Sequence, residues 1–326
     1  MSGGRQPRGM DYAFQAESLV KRFGATTALA GVELAARPGT VLGVLGPNGA
    51  GKTTAVRILA TLLRPDAGRA EVCGLDVVRG AAEVRERIAL TGQYASVDED
   101  LTGMENLVLI GRLLDMRKAG ARARAAELLE RFELAEDAGR RVSTYSGGMR
   151  RRLDLAASMV GRPAVIFLDE PTTGLDPGRR EEAWRLIRSM TRDGGTVLLT
   201  TQYLEEADAL ADEITVIDRG AVIASGTPAE LKRVTGGQTI VVRPRDPGRL
   251  IEVAAILNAV SGRAAETPRR DVVGVPVGED GERAFAETVH RLEAAGIGVA
   301  ELSLRLPSLD EVFLTLTGHH AEKEAA

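Results

Sequence analysis

The feature that most constrains the fold is a glycine-rich run that fits the pattern G-x-x-x-x-G-K-[ST], namely Gly46-Pro47-Asn48-Gly49-Ala50-Gly51-Lys52-Thr53. An apolar strand is predicted directly before it at Val41–Leu45, and a helix at Lys52–Leu63. In that position the backbone N–H groups of the loop point inward around an anion, and the helix N-terminus adds partial positive charge. The sequence therefore predicts a phosphate-binding loop.

Two side chains of this loop have expected roles in binding a nucleotide. Lys52 is expected to reach the β and γ phosphates, and the Thr53 hydroxyl to ligate Mg²⁺. The predicted nucleotide contacts extend to the next residue, Thr54. The expected cofactors are therefore ATP and Mg²⁺.

An acidic pair follows a second apolar strand, predicted at Val165–Leu168. Asp169 stands where this strand ends, which in such sheets lies beside the phosphate loop. Its carboxylate can hold Mg²⁺ through water. Glu170 would then point at the γ-phosphate and could orient and deprotonate a water molecule. The pair predicts nucleotide hydrolysis.

Strands and helices alternate on both sides of a helical stretch at about 95–161. This order predicts an α/β fold of the P-loop NTPase type, with a largely parallel sheet and an inserted helical subdomain. The further predicted strands are Leu34–Ala36, Thr196–Thr200 and Ile214–Ile217. The further predicted helices are Gly103–Asp115, Ala119–Phe132, Gly148–Val160, Arg179–Thr191 and Leu204–Ala211.

A change of composition near Gly236-Gly237 predicts a second, smaller α/β domain. We assign 13–236 to the first domain, 237–318 to the second, and 1–12 and 319–326 to flexible tails. The second domain is predicted to contain the strands Thr239–Val242, Val272–Val275 and Val299–Leu304, with the helices Leu250–Val260 and Glu282–Ala295. A final helix begins at Pro307, where Ser308 and Glu311 fit a capping box. No chemistry is expected of this domain.

Charge and composition limit the partners and the compartment. The 42 basic and 46 acidic residues are interspersed, so no basic stripe indicates a nucleic-acid partner. The one dense basic run, Arg150-Arg151-Arg152, is interpreted as a solvated helix face. The sequence contains no run of about 18 apolar residues, so it predicts no membrane span. The single cysteine, Cys73, favours a reducing compartment.

A second short motif narrows the family. The segment Tyr145-Ser146-Gly147-Gly148-Met149 resembles the signature of ABC ATPases, written L-S-G-G-Q, with Tyr in place of Leu and Met in place of Gln. In that family two nucleotide-binding domains sandwich ATP, and the signature contacts the γ-phosphate bound by the opposite subunit. The resemblance therefore implies a homodimer in which Ser146, Gly147 and Gly148 help to bind ATP.

Further residues match positions that this family uses. Gln93 is similar to the glutamine that contacts the metal and the attacking water, and Asp176 lies in a run that resembles the loop signalling across the dimer. Phe23 resembles the aromatic that stacks on adenine, with a core aromatic as the alternative. Gln202 stands where most members have a histidine that contacts the γ-phosphate; its amide can donate a hydrogen bond but cannot become cationic. The alternative is a polar residue facing water.

Four segments together resemble the daunorubicin-resistance-type ATP-binding subunits, which are drug-exporter ATPases of actinobacteria: Thr91–Asp98, Tyr145–Arg152, Gln202 and Pro307–Leu314. The resemblance covers about 14–318. It implies an ABC-type nucleotide-binding domain at the cytoplasmic face of the cell membrane. ATP hydrolysis there drives export of a hydrophobic drug, antibiotic or lipid through a separate integral membrane permease.

The alternative function is a soluble ABC-type ATPase that acts on ribosomes or DNA. The translation-type proteins resemble two such cassettes in one chain, whereas this chain has one phosphate loop. The DNA-repair types carry long coiled coils or zinc-binding cysteines, and the sequence has neither. Both observations favour the exporter subunit.

Overall fold

The computed structural model describes residues 12–91, 97–192, 194–234, 238–269, 271–278, 280–305 and 313. Contacts divide the chain into one unit that ends at Ser225 and a second that begins at Gly226. The helix Pro228–Val234 thus belongs to the second unit, whereas the sequence boundary at 236–237 places it in the first. A reciprocal capping box starts this helix, because the backbone N–H of Thr227 donates to Glu230 Oε2 at 2.8 Å and that of Glu230 to Thr227 Oγ1 at 3.2 Å.

The first strands of the chain form an antiparallel sheet that the sequence analysis largely missed. They are β1 (Phe14–Phe23), β2 (Thr26–Ala36), β4 (Ala67–Val72) and β5 (Leu75–Asp76). β1 pairs with both β2 and β4. The register shifts between Glu17 and Val20, where Ser18 has a φ of 51°, and a Cβ on Gly68 would collide with the Ser18 carbonyl oxygen. Such an irregularity breaks the period-two pattern by which a strand is recognised.

A six-stranded sheet forms the centre of the first unit. Its strands are β3 (Val41–Leu45), β6 (Ile88–Thr91), β7 (Val165–Asp169), β8 (Thr196–Thr201), β9 (Glu213–Asp218) and β10 (Ala221–Gly226). They lie in the order β10-β9-β3-β8-β7-β6. From β9 to β6, each strand in this order runs parallel to the next. The carboxyl ends of β3, β7 and β8 therefore meet at one edge, which confirms the predicted α/β fold.

Helices cover both faces of this sheet. In the first unit they are α1 (Lys52–Leu59), α2 (Ala81–Arg85), α3 (Gly103–Leu113), α4 (Lys118–Arg131), α5 (Gly147–Ser158), α6 (Pro177–Arg192) and α7 (Leu204–Leu210). The three helices α3, α4 and α5 are inserted between β6 and β7, as predicted. α1 ends at Leu59 and not at Leu63, because Thr61 takes a φ of 64° and Leu62 N donates back to Arg57 O at 2.8 Å.

Two cores result from the alternation of side chains along the central strands. On one face Val165, Phe167 and Leu198 pack with the antiparallel sheet and α1. On the other face Ile166, Leu168, Val197 and Leu199 pack with the inserted helices and α6. The strands are buried on both sides, which explains their nearly continuous apolar sequence.

The second unit has a β-α-β-β-α-β order of the ferredoxin-like kind after its first helix, α8 (Pro228–Val234). Its strands are β11 (Gln238–Pro244), β12 (Glu266–Arg269), β13 (Val272–Val277) and β14 (Val299–Arg305), and its helices are α9 (Leu250–Ser261) and α10 (Gly281–Ala294). The sheet order is β12-β13-β11-β14. The predicted last helix with Ser308 and Glu311 lies outside the described residues, as do the predicted tails apart from Tyr12. Within the described ranges, every helix is too short or too polar to cross a membrane.

Candidate nucleotide-binding site

The glycine-rich loop occupies the turn between β3 and α1, where its glycines have no substitute. Gly51 has a φ of 107° and Gly49 a φ of 82°, conformations that L-residues rarely adopt. A Cβ on Gly46 would collide with the Ile217 carbonyl oxygen, and one on Gly51 with that of Ala28. The loop is thus packed directly against neighbouring backbone, while Pro47, Asn48 and Gly49 are exposed at its tip. Thr54 follows in α1 and is half-buried.

Lys52 is the first residue of α1 and is only 4% exposed. Its ammonium donates to the carbonyl oxygens of Gly46 at 2.8 Å and Pro47 at 3.1 Å, so it lies inside the curve of the loop. Glu170 Oε1 lies 3.5 Å from the same nitrogen. Burial lowers the pKa of Lys52, and the charges of Glu170 and Asp169 oppose that shift. A buried ammonium held by neutral carbonyl groups is well placed to bind phosphate oxygens.

Asp169 ends β7 and is 6% exposed. Its Oδ1 accepts hydrogen bonds from the hydroxyls of Thr53 at 3.1 Å and Thr200 at 2.6 Å. Thr53 and Asp169, two of the three residues predicted to contact Mg²⁺, therefore touch each other. Thr200, one residue before the end of β8, was not predicted; the signal was its place near the carboxyl end of a strand beside β7.

Oxygen atoms of this kind fit Mg²⁺, which takes one or two protein carboxylates and completes its shell with water and substrate phosphates. The structure offers one carboxylate, Asp169, and one hydroxyl, Thr53, beside the phosphate loop. Within the part of the chain that the structure describes, no cluster of three or more His, Cys, Asp or Glu could hold a metal alone. The donor set therefore fits a metal that arrives with a nucleotide.

Glu170 directly follows β7 and has a φ of 51°. Its backbone N–H donates to the Thr200 hydroxyl at 3.0 Å, and its Oε2 accepts from the Thr173 hydroxyl at 3.3 Å. Its side chain is 9% exposed. This turn brings its carboxylate next to Lys52 at the edge of the sheet, which suits a group that must act on the terminal phosphate.

The signature segment lies at the start of α5. Ser146 caps this helix, its hydroxyl accepting from Met149 N at 3.3 Å. The aliphatic part of Arg179 lies over Gly148, because a Cβ there would be 3.3 Å from Arg179 Cδ. Arg179 Nε in turn lies 3.2 Å from Asp176 Oδ2. The two glycines, Gly147 and Gly148, thus leave room for an arginine that connects the signature with Asp176.

The other predicted site residues are less closely tied to the loop. Gln202 is half-buried directly after β8. Phe23 ends β1 with 51% of its surface exposed, so it does not pack into the core, and Lys21 Nζ lies 5.6 Å from its ring centre. Gln93 lies outside the described residues. The roles of all three remain predictions.

The interpretation of the arginine run as a solvated helix face is wrong for Arg151, whereas Arg150 and Arg152 form ion pairs with carboxylates that are more than half exposed. Arg150 pairs with Glu99 at 2.7 Å and Arg152 with Glu133 at 3.2 Å. Arg151 Nε donates to the Pro171 carbonyl oxygen at 2.6 Å, next to Glu170. α5 packs against α3, α4, α6 and β6, and this packing turns Arg151 toward the protein.

Comparison with known proteins identifies the family. Residues 29–173 match the family model for ABC transporters. The chain is 55% identical over 322 residues to daunorubicin resistance ATP-binding protein DrrA2 of Streptomyces coeruleorubidus, covering 97% of this chain and 99% of the relative. It is 37% identical to the Nod factor export ATP-binding protein I of Paraburkholderia xenovorans, covering 95% of this chain and 98% of that one.

A solved structure of the same fold is a dimeric post-hydrolysis state of an ATP-binding cassette bound to ADP and Pi. The match has a TM-score of 0.59 at 25% identity and covers 66% of this chain and 98% of that chain. The cassette fold accounts for about two thirds of the chain, whereas the first relative matches nearly all of it.

Proposed function

The chain belongs to the daunorubicin-resistance-type ATP-binding subunits of ABC transporters and is an ATPase, and from this we propose that it drives export of a hydrophobic drug, antibiotic or lipid through a separate membrane subunit. The observation that carries the proposal is the 55% identity to a daunorubicin resistance protein, which covers 97% of the chain. A relative named for Nod factor export widens the cargo class beyond drugs. Work at the cytoplasmic face of the membrane follows from this role.

The site chemistry divides into three roles. Lys52 binds the β and γ phosphates, exchanging its contacts with the Gly46 and Pro47 carbonyls for charged acceptors. Thr53 and Asp169 hold Mg²⁺, which when bound neutralises charge on the phosphate oxygens. Glu170 orients the attacking water and takes its proton, and the Thr173 hydroxyl fixes one carboxylate oxygen.

Two copies of the chain complete each site. In this proposal Ser146, Gly147 and Gly148 of one copy contact the γ-phosphate held by the phosphate loop of the other. The N-terminus of α5 supports that role, because the Ser146 hydroxyl and the partial positive charge of a helix N-terminus suit an anion. The dimeric cassette with ADP and Pi supports it by fold.

Four further contacts complete the proposed site. Phe23 stacks on adenine, for which its exposure leaves its ring free of the core. Gln202 donates to the γ-phosphate, Gln93 contacts the metal and the water, and Asp176 signals between the copies.

The export role is tested by co-purification and reconstitution. We expect the chain, co-expressed with a candidate membrane subunit from the same organism, to co-purify from detergent-solubilised membranes. In proteoliposomes of that complex, daunorubicin or a lipid-linked substrate should stimulate ATP turnover. The substrate should also accumulate inside the vesicles when ATP is added outside. The Glu170→Gln complex is the matched control, because it should assemble without transporting. Full ATPase activity with no membrane association, but binding to ribosomes, would favour the alternative function.

A further inference from the structure

A fully buried carboxylate lies behind the proposed site. Glu206 on α7 is 0% exposed, and its Oε1 accepts from Trp184 Nε1 on α6 at 3.2 Å. Burial raises the pKa of Glu206, while hydrogen bonds from the Thr201, Thr172 and Trp184 side chains act in the opposite direction. Its second oxygen, Oε2, meets no donor in full hydrogen-bond geometry among the described residues. Among the described residues, Thr172 Oγ1 also has no partner in that geometry, and Thr201 Oγ1 accepts from Tyr203 N at 2.9 Å, so both hydroxyls lie near the carboxylate without a regular hydrogen bond to it.

The two threonines belong to the loops that carry the proposed catalytic side chains. Thr201 is the last residue of β8 and directly precedes Gln202, and its carbonyl oxygen accepts from Gly46 N at 3.3 Å. Thr172 follows Glu170 by two positions and is 0% exposed. The carboxylate of Glu206 thus faces one residue from each of two loops that meet at the phosphate loop.

The signature helix α5 contacts the loop after β7 through Arg151. Arg151 Nε donates at 2.6 Å to the carbonyl oxygen of Pro171, the residue between Glu170 and Thr172. Burial lowers the pKa of Arg151, and the charges of Asp154 and then Glu206 oppose that shift. The part of α5 just beyond the signature is therefore joined to the loop that carries Glu170, and the charge of Arg151 lies within electrostatic range of Glu206.

Burying the Glu206 carboxylate costs free energy, and packing alone would not require it. A buried charge loses its hydration, and replacing buried ionic groups by apolar ones of similar shape is often neutral or stabilising. Conversely, a buried carboxylate with several donors from different elements holds those elements in one relative geometry. The placement of Glu206 matches the second use, since its neighbours come from α5, α6, β8 and the loop after β7.

We propose that Glu206 is a positioning residue for ATP hydrolysis, which holds the loops of Glu170 and Gln202 in register with each other and with the signature helix. The proposal rests on the proposed roles of Glu170 and Gln202. In this role Glu206 acts through Thr201 and Thr172 and contacts neither the nucleotide nor the metal.

The test compares Glu206→Gln with its neighbour Glu205→Gln in the full-length protein. Glu205 lies one residue earlier on α7, and its side chain is 79% exposed, with its Oε2 atom 3.8 Å from Arg180 Nη1. It is therefore a matched control at the surface. We expect Glu206→Gln to lower kcat for ATP by about 10–100-fold, because small displacements of reacting groups have effects of this size. The Kd for ATP, measured by titration calorimetry, should stay unchanged. Glu205→Gln should keep both values.

A double-mutant cycle with Thr172→Val separates positioning from packing. If Glu206 acts through Thr172, the double variant should lose no more kcat than the worse single variant. Additive losses, an unchanged kcat in folded Glu206→Gln, or a loss confined to ATP affinity would each overturn the proposal. If Glu206→Gln does not fold, Thr172→Val alone decides: a lowered kcat with intact ATP binding supports the proposal, and an unchanged kcat overturns it.

Glu170→Gln, measured in parallel, keeps this proposal distinct from the site assignment. If Glu170→Gln retains wild-type turnover, the assignment of the base fails. If Glu170→Gln is inactive while Glu206→Gln is fully active, only the positioning role fails.

Discussion

The two units treat their polar side chains differently. The first unit buries charged groups at or near the carboxyl ends of its parallel strands, including Lys52, Asp169 and Glu206. Among the described residues of the second unit, Thr288 is the one buried polar side chain, and its hydroxyl donates to Ala284 O at 2.8 Å within α10. A hydroxyl satisfied by its own helix contributes to packing and offers nothing to a ligand.

The ion pairs of the second unit lie at its surface. Arg243 lies 3.2 Å from Asp271 and 3.5 Å from Glu301, and all three side chains are at least one third exposed. Exposed pairs of this kind typically contribute about 0–1 kcal/mol to stability. The buried charges of the first unit have a higher cost, so their presence indicates a use other than folding. We therefore propose that the chemistry lies in the first unit, and four predictions test this.

The largest effect is expected at Glu170. Glu170→Gln should lower ATP turnover by about 10²–10⁴-fold, because the general base is lost, while ATP still binds. The matched change in the second unit, Glu301→Gln, should leave turnover at the wild-type level. Steady-state phosphate release measures both. Equal losses in the two variants would break the distinction between the units.

Next in size is the loss of Lys52. Lys52→Ala removes a charged donor to the phosphates, and hydrogen bonds to charged groups contribute about 1.5–3 kcal/mol. ATP affinity should therefore fall roughly 10–150-fold. Titration calorimetry checks this value, with Arg305→Ala in the second unit as the control. Unchanged affinity in Lys52→Ala would remove the phosphate-binding role.

Gln202 should show a smaller and more informative effect. If it donates to the γ-phosphate, Gln202→Ala should cost about 1–3 kcal/mol in the transition state, or roughly 5–150-fold in kcat. Gln202→His should retain activity and acquire a pH dependence near neutrality, because histidine titrates there and glutamine does not. Rates between about pH 6 and 9 test this. Unchanged turnover in Gln202→Ala would favour a glutamine that merely faces water.

The smallest effect is expected in the ion pairs of the second unit. Arg243→Gln should change the free energy of unfolding by no more than about 1 kcal/mol and leave ATP turnover unchanged. Urea denaturation and phosphate release measure the two quantities. A strong loss of turnover in this variant would mean that the second unit takes part in hydrolysis.

Site residues could be predicted from the sequence where the pattern that identifies them lies in neighbouring residues. The phosphate loop, Asp169 and Glu170 could be placed from sequence because each stands beside an apolar strand whose end fixes its position. Thr200, Arg151 and Glu206 could not, because their partners are distant in sequence and only the parallel pairing of β7 with β8 and the packing of α5 bring them together. The antiparallel sheet was missed for a related reason, the irregularity at Ser18 that disguises β1.

We propose that the first units of two copies of the chain build each hydrolytic site, with Lys52 from one copy and Ser146 from the other. Mixing purified Lys52→Ala with Ser146→Arg tests it directly, because each mixed dimer retains one site with both intact residues. At an ATP concentration that saturates the wild type but not Lys52→Ala, we expect each variant alone to have little turnover and the mixture to regain it. No recovery from two folded variants, together with a wild type that hydrolyses ATP as a monomer, would contradict the shared site.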